Sequence, residues 1–108
     1  MKMDLRENEV VEKEVKGDYW SGFFGLLISQ TRGAYAFTNE RIVFRGGFAT
    51  TKEIEYKEIE SIKKCNVGSF VLRIIPTGIL VKTKNGKKHY LSVLGRKDIL
   101  SFLEGKVN

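Results

Sequence analysis

The chain has a single cysteine, a single histidine and a single proline. A lone Cys65 excludes an internal disulfide and fits a reducing compartment such as the cytosol. One Cys and one His leave little from which to build a Cys/His or Ser/His/Asp nucleophilic site, which would have to rest on His89. No Cys/His spacing suits a structural zinc. Cys65 follows Lys63 and Lys64, a setting that lowers a thiol pKa, but the preferred reading is a small residue in a strand or turn. The glycines form no phosphate-cradling loop ahead of a helix. No apolar run approaches the roughly 20 residues that span a bilayer. The start, MKMDLRENEV, lacks an apolar h-region and does not read as a secretory signal. The expectation is a non-enzymatic chain without cofactor or metal.

What is present is an ordinary globular composition, 42% apolar and 30% charged, in 108 residues. That length fits one domain over residues 1–108 with its own core. The net charge of +6 is uneven. Residues 1–60 carry 9 Lys/Arg against 11 Asp/Glu, while residues 61–108 carry 10 against only Asp98 and Glu104. A basic half points to an anionic partner or to a solvated Lys-rich surface.

The clearest local pattern is GAYAFTNERIVFRG, Gly33 to Gly46. Pairing its two apolar runs around Asn39-Glu40 sets Phe37 opposite Ile42 and Tyr35 opposite Phe44, all on one face. Ala34, Ala36, Arg41, Val43 and Arg45 then face water or a partner. Arg41 and Asn39 are expected to serve turn geometry and packing. Ahead of this hairpin, residues 4–9 read as a polar start, frayed or a loose first turn. Glu9 to Lys16 reads as a charged first strand, and Gly17-Asp18 as a turn. Tyr19 to Ser29 is the most apolar stretch. It is either core filling or an exposed loop carrying Trp20, Phe23 and Phe24.

Beyond the hairpin, Thr50 to Tyr56 reads as a strand, and Ile59 and Ile62 as a following strand or bend. Phe70 to Ile75 reads as a buried strand that Pro76-Thr77-Gly78 interrupts. Asn85-Gly86 is the strongest hairpin signal. A three-residue loop, Lys84 to Gly86 with a left-handed Gly86, sets Val81 opposite His89 and Ile79 opposite Leu91. That register keeps Ile79, Val81, Leu91 and Val93 on one face. It leaves Lys82, Lys88 and Tyr90 outward and His89 near a barrel end. GRKDILSFLEGKV is the one helix candidate, over about 95–105 and ended by Gly105, with Ile99, Phe102 and Leu103 on its apolar face. The sum is a mostly β chain: about seven antiparallel strands in a barrel or orthogonal sandwich, capped by a C-terminal helix.

GAYAFTNERIVF resembles the GRAM domain motif, with Phe37, Thr38, Asn39, Arg41, Ile42 and Phe44 in its places. YKEIESI and IPTGILVKTKNGKKHYLSVLGRKDILSFL are similar to the segments that follow it, so the resemblance covers about residues 33–104. It implies a pleckstrin-homology-like barrel of two near-orthogonal sheets and a free-standing module of the small bacterial type. It also implies binding of lipid or protein rather than catalysis. Pleckstrin-homology domains that hold phosphoinositides cluster Lys and Arg after the first strand. Here Lys13, Lys16 and Arg32 are separated by apolar residues, so such a pocket is not expected.

The candidate contact for an anionic phospholipid or a membrane-associated protein is Lys82, Lys84, Lys87 and Lys88, with Lys63, Lys64, Arg96 and Lys97 near it. Gly95 to Asp98 at the helix start is a weaker anion site. Trp20, Phe23 and Phe24 are the candidate apolar contact. The expected location is cytoplasmic, peripheral on the inner face of the membrane. The alternative is an assembly module forming a homo-oligomer or scaffold without lipid. Aromatics that alternate toward the core argue against nucleic acid.

Overall fold

Alternation of apolar and polar residues, interrupted by short turn signals, produces seven strands and one helix in the computed structural model. It describes residues 3–23, 26–47, 50–68 and 74–107. The strands are β1 (Val11–Phe23), β2 (Leu26–Thr38), β3 (Arg41–Gly46), β4 (Thr51–Glu55), β5 (Ile59–Val67), β6 (Ile75–Thr83) and β7 (Lys88–Val93). A 3₁₀ turn, Tyr56–Glu58, links β4 to β5, and helix α1 (Arg96–Lys106) ends the chain. Neighbouring strands are all antiparallel, in the order β4-β3-β2-β1-β7-β6-β5.

Both hairpin registers follow the side-chain pattern. Phe37 faces Ile42 and Tyr35 faces Phe44. Val81 faces His89 and Ile79 faces Leu91, with Gly86 at φ 87°. A slip of one residue would turn eight buried or near-buried side chains to the wrong side, which is why apolar patterning fixes both. The inner faces join in one core that includes Ile54 and Tyr56 near one end of the strand order and Ile59 and Val81 near the other. The sheet is therefore curled into a half-barrel. Ile99 and Leu103 of α1 close it, with Phe102 packing edge-on to Phe37.

The curl has a local cause. Gly17 pairs with Gly33, and Gly33 pairs with Gly46, so three glycines lie in a row across β1, β2 and β3. A Cβ on Gly17 would sit 2.2 Å from the Ser92 carbonyl oxygen, and one on Gly33 would sit 2.1 Å from that of Arg45. No side chain fits there, and the sheet creases along this line. Gly17-Asp18, expected as a turn, is thus the middle of a 13-residue strand. Its glycine serves close approach rather than chain reversal.

Other expectations also change. Pro76 does not interrupt β6; it sits at the register shift between the Cys65–Gly78 and Val67–Ile75 pairs, where no ladder donor is required. Phe70 to Arg73 lie outside the described residues, and the rest of that expected buried strand, Ile74 and Ile75, is exposed. The helix runs one residue past Gly105. The far face of the first hairpin is not water-facing throughout, since Ala36, Val43 and Arg41 are buried. The start is a loose turn rather than frayed: the Glu9 amide donates to the Arg6 carbonyl at 3.0 Å, and Arg41 Nη2 donates to the Asp4 carbonyl at 3.0 Å, drawing the N-terminal segment onto that face.

Candidate functional site

The Thr38-Asn39-Glu40-Arg41 turn is a hydrogen-bonded receptor for residues 4–10. The Thr38 hydroxyl accepts from the amides of Glu40 and Arg41 at 3.0 and 2.9 Å and donates to Glu9 at 2.7 Å. Asn39 uses backbone and side chain together. Its N–H donates to the Val10 carbonyl at 3.1 Å, its Oδ1 accepts from the Val10 amide at 2.9 Å, and its Nδ2 donates to the Asn8 carbonyl at 3.2 Å. Arg41 donates to both Glu9 oxygens, at 2.8 and 2.9 Å, and to Glu53. Glu9 is buried, and these bonds hold its carboxyl at about 2, far below the ordinary range. Arg6 pairs with Glu40 and Glu55 across the same end. Every motif position that could have addressed a ligand is occupied by the chain's own start. Sequence periodicity cannot show this, because the strap is polar and irregular.

The last hairpin is the opposite case. Lys82 stands directly opposite Lys88, and Lys84 and Lys87 flank the turn. Lys84, Lys87 and Lys88 are exposed, and among the described residues the one ion pair of the four is Lys82 with Glu60, at 3.8 Å. Packing four ammonium groups on one hairpin raises a positive potential there, tempered on the Lys87 side by Glu53, Glu55 and Glu58, which line a cavity with it. Lys63 extends the patch on the same outward face, through its pairing with Leu80, itself opposite Tyr90. Lys64 faces Ile79 on the next pleat.

Arg96 and Lys97 do not join this patch. They follow the far end of β7, which spans roughly 20 Å at the usual rise per residue. Arg96 donates to the Cys65 carbonyl at 3.1 Å, tying the start of α1 to β5.

Trp20 is only 4% exposed. It lies on the outer face of β1 in a small second cluster with Leu27 and Val67, against Cys65 and Tyr90. The side chain expected in an apolar contact therefore packs internally, filling the outside of the sheet where a flat strand would have left it bare. The side chain of Phe23 and all of Phe24 lie outside the described residues. The register does place the hairpin that carries them: Trp20 pairs with Tyr90 and Gly17 with Val93. Moving along β1 toward Phe23 is thus moving along β7 toward Lys88. The β1–β2 hairpin and the lysine hairpin run to the same end of the half-barrel.

His89 is buried and shares a 2.7 Å hydrogen bond with the Tyr19 hydroxyl. Burial, with Lys87 and Lys52 adding to it, lowers the imidazole pKa, and burial pushes the Tyr19 phenol up to about 12. The pair is neutral near pH 7. Lys52 lies 5.5 Å above the Tyr19 ring. No group of three or more His, Cys, Asp or Glu among the described residues is arranged to hold a metal ion.

No family model matches the chain, and no curated protein matches it. A solved structure does. The C-terminal domain of an unknown protein from Leishmania infantum aligns with a TM-score of 0.73 at 22% identity, over 93% of this chain and 85% of that one. The likeness is one of fold.

Proposed function

We propose that this chain is a non-enzymatic binding module of the pleckstrin-homology and GRAM type that docks on an anionic membrane surface. The single observation that carries the reading is the lysine hairpin: Lys82, Lys84, Lys87 and Lys88 at one end, with Lys84, Lys87 and Lys88 exposed and in no ion pair among the described residues. Basic residues at an anionic surface contribute about 1 kcal/mol each, so the set yields weak, salt-sensitive attachment. The apolar sequence at the neighbouring β1–β2 hairpin would supply the buried half of the contact. A sheet whose β4-β3-β2-β1 and β7-β6-β5 halves turn across β1, with a C-terminal helix as lid, is consistent with the two-sheet arrangement of that superfold. The expected position is peripheral, on the cytoplasmic side. No helix among the described residues is long and apolar enough to cross a membrane.

The test is co-sedimentation with vesicles containing phosphatidylglycerol. Binding should fall as salt rises and should be lost in Lys84→Glu/Lys88→Glu. Equal sedimentation of wild type and variant at low salt would overturn the reading. A second reading, self-assembly, is favoured by one feature: β4 and β5 end the strand order, each with one side not paired to another described strand. Light scattering separates the two, since a strict monomer at high concentration removes assembly.

A further inference from the structure

A groove of about 390 Å³ lies along the glycine crease, far from the lysine hairpin turn. Lys16, Asp18, Arg32, Thr77, Ser92 and Leu94 line it, over the backbone of Gly17 and Gly33. The Gly17–Gly33 pair is flanked on one face by Lys16 and Asp18 from β1 and by Arg32 from β2. Lys16 and Arg32 are diagonal neighbours, roughly 7–8 Å apart. Two long cationic side chains at that spacing close readily around one anion.

The charges here differ from the paired ones at the strap and beside the helix. Arg41 pairs with Glu9 and Glu53, Arg6 with Glu40 and Glu55, and Lys106 with Glu12. Asp18 sits directly opposite Arg32 in the register. Yet Asp18 accepts from Gln30 Nε2 at 2.5 Å, and neither Lys16 nor Arg32 forms an ion pair among the described residues. Thr77 and Ser92 share a 2.6 Å hydroxyl bond on the other wall, and Leu94, 69% exposed, forms an apolar rim. Two cations, one carboxylate and two hydroxyls thus surround one cavity with the charges held apart.

A simple anion would satisfy Lys16 and Arg32 and be repelled by Asp18. A simple cation would do the reverse. From this we infer that the groove binds a small zwitterion of the phosphoethanolamine type, a phosphate joined by a short linker to a primary ammonium. The Arg32 fork and the Lys16 ammonium take the phosphate oxygens. The Ser92 and Thr77 hydroxyls supply a further donor, and Asp18 accepts from the ammonium. The same group occurs free and as the headgroup of phosphatidylethanolamine. The inference does not rest on the lysine hairpin.

The experiment is an amide NMR titration of the full chain with O-phosphoethanolamine, with phosphocholine and glycerol 3-phosphate as comparators. A parallel arm uses phosphatidylcholine vesicles with and without phosphatidylethanolamine. Shifts should centre on Gly17, Gly33 and Ser92, with phosphoethanolamine bound at least fivefold more tightly than either comparator. Arg32→Gln should weaken it about tenfold. Asp18→Asn should erase the preference for the ammonium while keeping phosphate binding. Vesicle binding that needs Arg32 and Asp18, without a response to the soluble compound, assigns the lipid as the source. No response in either arm, equal affinity for all three compounds, or shifts centred on Lys84 to Lys88 would overturn the inference. Lys84→Glu/Lys88→Glu should leave the titration unchanged, so failure of the hairpin reading and failure of this one are separable.

Discussion

The β2–β3 and β6–β7 hairpins both carry several charges and use them in opposite ways. At the β2–β3 turn, Arg41 meets Glu9 and Glu53, and Arg6 meets Glu40 and Glu55. At the β6–β7 turn, Lys84, Lys87 and Lys88 point outward, and Lys82 has one acid at 3.8 Å. The difference lies in what packs on each. The N-terminal strap buries the first turn, and burial makes an unpaired charge too costly to keep. Nothing comparable covers the second among the described residues, so its charges stay solvated and cost little. Paired charge marks structure here, and the unpaired charge is the surface proposed above for a partner.

The comparison is broken most severely at the buried pair. Arg41→Ala leaves the Glu9 carboxylate in the interior, and removing one partner of such a pair costs about 3–5 kcal/mol. Urea unfolding should show that loss. Replacing Glu9 and Arg41 together by apolar residues should recover much of it. If Arg41→Ala unfolds at the wild-type midpoint, the strap is an incidental contact.

Next in size is the crease. Gly17→Ala places a Cβ against the Ser92 backbone, where only a main-chain shift can make room. Overpacking of this kind costs about 1–3 kcal/mol and occasionally more. The same change at Gly47, where no atom lies within 4 Å of the added Cβ, should be near neutral. Equal thermal midpoints for the two variants would refute a crease held by close packing.

The pH dependence separates the two regions by window. The Glu9 carboxyl is depressed from 4.5 to about 2, so its contribution is complete above the ordinary carboxylate range and is lost as pH falls through it. The His89 pKa is lowered from 6.5, so the folded state prefers the neutral ring and loses stability as pH drops below that value. Melting temperature should therefore fall in two stages on acidification. His89→Phe should remove the upper stage, and Glu9→Gln the lower. Two stages surviving in both variants would contradict the assignment.

The smallest effect on stability belongs to the last hairpin. Lys84→Glu and Lys88→Glu should each change it by less than about 0.5 kcal/mol, as exposed substitutions do. Stability and binding should thus respond to different ends of the molecule.

Much of the architecture was legible because it rests on alternation. The Tyr35–Phe44 and Ile79–Leu91 pairs, the left-handed Gly86 and the helical spacing of Ile99 and Leu103 all follow from local pattern. What was not legible depends on contacts between distant segments. Gly17 reads as a turn until β2 and β7 are seen pressing on it. Trp20 reads as core filling or exposed, and only the packing of Leu27 and Val67 on it decides for core filling, in a small cluster on the outside of the sheet. Residues 4–9 read as frayed or a loose turn; the turn is local, but what anchors it lies more than 28 positions away, at Asn39, Arg41 and Glu55. For the candidate site, the lysines of the hairpin were readable by count and register. Their separation from Arg96 and Lys97 was not, since it depends on which end of β7 each follows. Lys16 and Arg32 were visible singly; only strand pairing brings them to one groove.

The direct test of the account is vesicle binding by two charge-matched variants, Lys84→Glu/Lys88→Glu and Lys13→Glu/Lys106→Glu. The first removes unpaired charge from the hairpin. The second removes the same net charge from the helix end, where Lys106 pairs with Glu12 and both lysines lie over the Phe102 ring. At low salt, with phosphatidylglycerol in the vesicle, the account predicts that the first loses sedimentation and the second keeps it. Equal loss in both would mean that net charge alone drives binding, and the distinction between the two ends would fall.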